Sequence, residues 1–457
     1  MKNLFILVFI TFTGIAQAQT TAWNRVKTLG LGSNLSYLDN YWNGSIAKHH
    51  GDYVKMADVL KRKSMLADIA KTGMKSVRIP MCFSASASLD APYYWDYPQN
   101  LPASDSLINW ALANNLKVII DFHHPEMDLN DPRTTKIERI EWLWTQIAQR
   151  YKNLDPDKVF FELWNEPHDI QASDWRIVAE RLIALVRKIA PKHTLVVGFH
   201  DWNGRDALIS SQPFADDNII YTFHYYDPFV FTHQGATWTT GLEGVKNVPF
   251  PAQTNTTLSV PASAKGTWIE NALKNYANEA NTKAMSAALQ KVKLWSDTQN
   301  KPIYLGEFGS YGFIADAESR CNHAFTVMQI CGILEIPISW WEWDGGFNMF
   351  EKGTTRVSDC MMEALKAYSM KATNVESLDK NDDFVVYPNP SSDAIQIKNT
   401  AIKSVQFIGT NGQLVQTSDR DTEGNIQINK LPVGVYILRL YDAQNKEIGT
   451  KKLIKRE

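Results

Sequence analysis

Apolar and polar positions along the chain fall into two alternating kinds of segment. Short runs rich in Val, Ile, Phe and Tyr occur at Leu29–Asn34, Ser76–Pro80, Lys117–Phe122, Lys158–Leu163, Thr194–Gly198, Ile219–His224, Pro302–Glu307 and Ile338–Trp343. Longer stretches with apolar residues at helical spacing separate them: Asp58–Thr72, Ser104–Asn115, Ile137–Lys152, Ser173–Ile189, Ile269–Thr298 and Asp316–Leu334, with Met361–Met370 as a closing helix. Ser104 and Ser173 carry the hydroxyls that cap helix N-termini. Strand signals alternating with helices predict an α/β fold with a parallel sheet, and eight of them predict a closed (β/α)8 TIM barrel. A doubly wound open sheet is the competing architecture. It is disfavoured because no Gly-rich phosphate loop follows the first strand and polar residues recur at nearly every strand end.

The pattern changes near Ala372. Asn374–Asp383 is polar and acidic, as a linker would be, and short alternating runs follow at Phe384–Tyr387, Ala394–Lys398, Val405–Gly409, Leu414–Gln416, Ile426–Ile428 and Gly434–Leu440. Turn signals Asn389-Pro390, Asn411-Gly412 and Pro432-Val433-Gly434 separate these runs, which predicts a small all-β sandwich. At the other end, Met1-Lys2-Asn3 supplies a positive charge, Leu4–Phe12 is nearly all apolar, and Ala16-Gln17-Ala18 is a small-x-small cleavage site. The expected organisation is a signal peptide at 1–18, a barrel domain at 19–372, a linker at 373–383 and a β-sandwich at 384–457. The mature chain carries no expected transmembrane segment, and its place is secreted or at the cell surface.

Composition narrows the chemistry. With Lys+Arg 47 against Asp+Glu 49 the net charge is −2, which offers no basic surface for nucleic acid. The 15 Trp, 17 Tyr and 20 Phe are abundant; flat rings of this kind stack on the apolar faces of sugars or fill an aromatic core. Cys82, Cys321, Cys331 and Cys360 form no CxxC, and no His pair stands at zinc-finger spacing, so neither a metal nor a cofactor is expected. One disulfide and four free thiols both fit that spacing.

Two carboxylates stand out by position. Glu166 follows the fourth strand signal and Glu307 ends the seventh, so both should project into the mouth of the barrel. Two carboxyl groups facing each other across a cleft are the equipment for glycoside hydrolysis, one protonated to serve the leaving oxygen and one ionised to attack. Arg78, His123, His124, Asn165, His224, Tyr226 and Trp341 stand at or just beyond other strand ends and complete a ring of donors with an aromatic platform. Arg78 beside Glu307 would hold that carboxylate ionised. A metal site on His123 and His124 is the competing reading, and no third ligand at convincing spacing accompanies them. The long connection Asp227–Thr267, with Phe229, Phe231, His233 and Trp238, leaves the same face, as functional loops do.

Five segments then resemble glycoside hydrolase family 5, the retaining endoglucanase family: Ser76-Val77-Arg78-Ile79-Pro80, Trp164-Asn165-Glu166-Pro167-His168, His224-Tyr225-Tyr226, Leu305-Gly306-Glu307-Phe308-Gly309 and Trp341-Glu342-Trp343. The resemblance implies Glu166 as acid/base and Glu307 as nucleophile, with carboxyls about 5–5.5 Å apart. It also implies that Asn165 holds the sugar 2-hydroxyl and that Arg78 and Tyr226 bond the nucleophile. His123 or His124 would contact the −1 sugar, His224 would adjoin the acid/base, and Trp341 would floor the subsite. His233 and Trp238 are candidate subsite contacts, because their loop is similar to that of members acting on both β-1,4-glucans and β-mannans. The first-strand stretch Gly32-Ser33-Asn34-Leu35 departs from the Gly-Asn pair usual in the family.

The tail, through Val386-Tyr387-Pro388-Asn389-Pro390, Gly409-Thr410-Asn411-Gly412, Gly434-Val435-Tyr436 and Lys451-Lys452-Leu453-Ile454-Lys455, resembles the sorting domain of type IX secretion. A carbohydrate-binding module is the competing reading, weakened by the absence of Trp from this segment. The expected protein is thus a secreted retaining endo-β-1,4-glucanase whose partners are a β-linked polysaccharide and the type IX secretion machinery. A mannanase, glucomannanase or mixed-linkage glucanase is the alternative within the same chemistry, and a non-catalytic glycan-binding protein the alternative outside it.

Overall fold

The eight apolar runs become eight parallel strands in the computed structural model, which describes residues 21–36, 56–98, 100–125, 133, 135–252, 258–369, 386–387, 389, 391–397, 401–409, 414–422 and 424–455. The expected signal peptide and linker lie outside these residues. Strands β1 (Leu31–Asn34), β2 (Ser76–Met81), β3 (Lys117–Phe122), β4 (Val159–Glu162), β5 (Leu195–Val197), β6 (Ile219–His224), β7 (Ile303–Phe308) and β8 (Ile338–Trp340) pair in sequence order, and β8 closes on β1. The open sheet is thereby excluded. Each strand is buried on both faces, which is why it reads as a continuous apolar run instead of an alternation.

Inside the barrel, Ile119, Phe160, Val196, Ile220 and Tyr304 form one apolar layer. A short helix absent from the sequence reading, α1 (Thr21–Val26), closes the N-terminal end by packing Ala22 and Val26 against that layer. Its Arg25 donates to Asp157, to the Lys192 carbonyl and to Thr194, which ties the plug to the strand starts. With this end sealed, the C-terminal mouth is where a site can open.

The outer ring comprises α2 (Met56–Lys71), α3 (Asn100–Ala113), α4 (Ile137–Tyr151), α5 (Ala172–Ile189), α6 (Arg205–Ser210), α7 (Phe229–Thr232), α8 (Trp268–Lys274), α9 (Tyr276–Glu279), α10 (Thr282–Gln299), α11 (Ala317–Ile333) and α12 (Asp359–Ser369). Three expectations change here. Ser104 is not a cap but lies within α3, its hydroxyl bonded back to the Asn100 carbonyl. Gln171, not Ser173, occupies the N-cap of α5. The expected helix Ile269–Thr298 is broken into three, because Asn281 turns the chain and caps α10 through its side chain. Cys321 and Cys360 form a disulfide between α11 and α12, while Cys82 and Cys331 are buried thiols outside any disulfide. Closing a loop of 39 residues is worth about 4 kcal/mol on the chain-entropy account and suits an exported chain.

The C-terminal part is antiparallel. One sheet orders β13 (Asn425–Gln427), β10 (Ala394–Ile397) and β9 (Val386–Tyr387); the other orders β12 (Leu414–Asp419), β11 (Ser404–Gly409), β14 (Gly434–Tyr441) and β15 (Glu447–Lys455). Its core, which includes Ile395, Val405, Phe407, Ile426, Leu438, Leu440 and Leu453, is built from its own residues. The turn at Asn411-Gly412 lies outside the described residues. Strand β15 was missed because its charged stretch Lys451-Lys452 hides the alternation.

Candidate active site

The polar residues of the mouth rest on the apolar barrel layer. Arg78 on β2, fully buried, is the hub. Its Nε and Nη2 donate to the two oxygens of Glu162 at 2.7 and 2.9 Å, and Nη2 also donates to Asn165 Oδ1 at 2.7 Å. From Nη1 it donates to Asn34 Oδ1 at 2.9 Å and to Glu307 Oε1 at 2.7 Å. Asp121 Oδ2 is also near, 3.0 Å from Nη2. Asn34 therefore meets Arg78 even though the first strand lacks the expected Gly-Asn pair.

Glu307 is fixed from a second direction by Tyr226, whose hydroxyl donates to Oε2 at 2.8 Å. Two register shifts aim it: between Phe223 and His224 on the β6 side, and between Leu305 and Phe308 on the β8 side. Such bulges re-aim side chains next to active sites. Neighbouring glycines make room, since a Cβ at Gly306 would meet Thr222 Oγ1 at 2.7 Å and one at Gly309 would meet the Trp341 carbonyl at 2.2 Å.

Glu166 stands opposite, beyond β4, and meets His224 Nδ1 at 2.6 Å; the same nitrogen is 3.6 Å from Glu307 Oε2. Carboxylate oxygens of Glu166 and Glu307 lie within 4.8 Å of each other, with an imidazole nitrogen of His224 in the same sphere. Among the described residues this trio is the grouping that could hold a metal ion. The two-histidine metal reading finds another geometry: His123 and His124 pack edge to face at 4.2 Å, and His123 Nδ1 is engaged by Asp121 Oδ2 at 2.6 Å.

Burial sets the protonation of these groups. It pushes the Glu307 carboxyl above its ordinary range; His224, Arg78 and Tyr226 pull it back, and the charge of Glu166 pushes it further up. Arg78 favours the ionised form of Glu307, as expected, but one guanidinium is divided among Glu307, Glu162 and Asp121, and burial outweighs its pull so that the net shift is upward. The His224 ring falls to about 4, chiefly through burial, and stays neutral at ordinary pH.

The remaining expected residues separate into two groups. Trp341, just beyond β8, stacks on His123 at 5.6 Å and 10° and is partly open, as a sugar platform would be. His233 and Trp238 lie farther out. His233 is buried, stacked on Phe229 at 4.0 Å and edge-on to Tyr226 at 4.9 Å, so it buttresses Tyr226 instead of lining an open surface. Burial lowers its ring to about 3. Trp238 is 57% exposed against Tyr311 and Phe347.

Sequence reading missed Asp121, Glu162 and Trp202. The first two are charges on otherwise apolar strands, aligned with each other across β3 and β4. Trp202, 46% exposed, stacks on His168 at 3.8 Å and 3°. Its turn takes three consecutive left-handed residues, Asp201, Trp202 and Asn203. The Trp202 amide donates to the Pro167 carbonyl at 3.2 Å and the His224 amide to the Asn203 carbonyl at 2.8 Å, so one strained turn braces both Glu166 and His224.

A closed parallel barrel with two carboxylates converging at its mouth defines the class. The chain belongs to the cellulase family, glycosyl hydrolase family 5, whose sequence pattern it matches over residues 41–346. Residues 385–456 match the secretion system C-terminal sorting domain, which marks the chain as secreted or cell-surface. Endoglucanase 3 of Fibrobacter succinogenes is 31% identical over 308 residues, 62% of this chain and 46% of that protein. Endoglucanase H of Acetivibrio thermocellus is 28% identical over 300 residues, 65% of this chain and 27% of that protein. The chain spans less than half the length of these curated relatives. The solved structure of Thermotoga maritima Cel5A with mannotriose superposes with a TM-score of 0.61 at 30% identity, covering 75% of this chain and 99% of that one. The described part contains no helix long and apolar enough to cross a membrane.

Proposed function

We propose that the chain is a secreted endo-β-1,4-glucanase that hydrolyses β-glucans with retention. The reading divides it into a signal peptide at 1–18, a catalytic domain at 19–372, a linker at 373–383 and a sorting domain at 384–457 addressed to type IX secretion machinery. The observation that carries the mechanism is the approach of the Glu166 and Glu307 carboxylate oxygens to within 4.8 Å. That closest approach is nearer the about 5–5.5 Å of a retaining pair than the about 6.5–9.5 Å that leaves room for an inverting enzyme's water, and it supports direct attack.

In this reading the substrate lies on Trp341, where Asn165 meets the 2-hydroxyl and His123 the −1 sugar. Glu166 gives its proton to the glycosidic oxygen while ionised Glu307 attacks the anomeric carbon, so the C–O bond to the leaving sugar breaks as the ester to Glu307 forms. Glu166, now a carboxylate, takes a proton from water, and the hydroxide formed attacks the same carbon and releases Glu307. Two inversions leave the β configuration. Arg78 and Tyr226 fix the nucleophile's aim, and neutral His224 orients Glu166. NMR of the first-formed product should show the β-anomer; initial release of the α-anomer would overturn the reading.

Mannan or glucomannan is a second substrate reading, supported by the 30% identical Cel5A, which was solved with mannotriose and with cellobiose. Reducing-sugar release from carboxymethylcellulose, mixed-linkage glucan and glucomannan, measured side by side, separates the two.

A further inference from the structure

Asp121 is a fully buried carboxylate that the roles above leave unused. Its Oδ2 lies 2.6 Å from His123 Nδ1, and its Oδ1 is buried with no partner among the described residues. The five N–H groups of Arg78 are taken by Glu162, Asn165, Asn34 and Glu307, so Arg78 gives Asp121 charge at 3.0 Å without a hydrogen of its own. The other nitrogen of His123 has no protein partner among the described residues, and its ring stacks on Trp341.

We infer that Asp121 is a positioning residue for the reaction: through Nδ1 it fixes the His123 ring so that Nε2–H is offered as a donor to the sugar lying on Trp341. The inference rests on the proposed glycosidase reading. Its chemistry follows from counting protons on the Asp121–His123 pair. With one proton, Nδ1–H donates to a carboxylate and Nε2 is a bare acceptor. With two, a hydrogen lies between Oδ2 and Nδ1 and Nε2–H is a donor.

The surroundings favour two. Glu162 stands in register beside Asp121, Glu307 and Glu166 add negative charge, and among the described residues Arg78 is the one cation facing it; His123, His124 and His224 are the other titratable groups nearby. Burial, reinforced by these carboxylates, holds the Asp121 carboxyl well above its ordinary range, while burial holds the His123 ring well below its own. Both directions leave the shared proton on the carboxyl and the ring neutral with Nε2–H. An oxygen with no partner is tolerable on a neutral acid and costly on a buried carboxylate.

Nitrogen-15 NMR of the full chain with labelled histidine reads this tautomer directly, whether or not the chain is a hydrolase. His123 should show the Nε2–H pattern near neutral pH, and a bare Nε2 there would overturn the inference. Kinetics provide the second arm. Asp121→Asn, whose amide can donate to Nδ1, should keep kcat/KM within about threefold of the parent, whereas Asp121→Ala should lower it about ten- to a hundredfold. Adding Asp121→Ala to His123→Ala should cost little beyond His123→Ala alone. Additive losses, or Asn as damaging as Ala in a folded protein, would reduce Asp121 to a structural charge. A parent chain that releases no sugar from any β-glucan or mannan would instead refute the glycosidase reading and leave the tautomer result standing.

Discussion

The two carboxylates that face each other across the barrel mouth live in opposite surroundings. Glu307 sits on a strand with its side chain 6% exposed, gripped at both oxygens by Arg78 and Tyr226. Glu166 sits on a loop beyond β4, its side chain 19% exposed, with a neutral imidazole at 2.6 Å and its backbone braced by the Trp202 turn. A group that makes and breaks a bond to carbon must be aimed, and rigidity serves it. A group that passes a proton first to a leaving oxygen and then from water must reach two positions, and an open face serves it. The difference in environment thus fits the roles proposed for two residues of identical chemistry.

Removing either one tests that assignment most severely. Glu307→Ala should abolish hydrolysis of every substrate, a loss of at least about a thousandfold, because no nucleophile remains. Any azide product should have inverted configuration. Glu166→Ala should cost about 10²–10⁴-fold on polysaccharide. Aryl glycosides with good leaving groups should still form the glycosyl-enzyme, and azide should speed its turnover with retention. The reverse pattern would exchange the two roles, and near-normal rates in both would remove the glycosidase reading.

A smaller effect sharpens the electrostatic side. If Glu307 is the nucleophile proposed, it acts ionised, and the acid limb of kcat/KM follows its raised pKa. The Tyr226 bond favours the ionised form, and Tyr226→Phe should therefore move that limb to higher pH and slow the enzyme most at low pH. An unmoved limb would mean that Tyr226 aims Glu307 without tuning it. The smallest effect concerns the tail. Its core is its own, so a chain ending at Ala372 should keep parental kcat/KM on soluble substrate while losing export in a host with the secretion machinery.

The barrel was legible because buried parallel strands read as apolar runs, and the polar ring at its mouth was legible because such residues gather at strand ends. Ser104 and Ser173 misled because a hydroxyl that can cap can also bond back inside a helix or stand just inside its first turn. Asp121 and Glu162 escaped because they lie one layer below the mouth, where only the third dimension shows that a charge on a strand meets another. Trp202 escaped because its placement depends on three successive left-handed residues, which no hydrophobic period encodes.

The central claim is that Glu307 becomes covalently bonded to sugar. A fluorosugar with an activated leaving group, 2,4-dinitrophenyl 2-deoxy-2-fluoro-β-cellobioside, should inactivate the full chain and raise its mass by one fluorinated cellobiosyl unit. Peptide mapping should place that unit on Glu307. An adduct on Glu166 would invert the assignment, and a chain that hydrolyses β-glucan yet forms no adduct on either carboxylate would contradict double displacement.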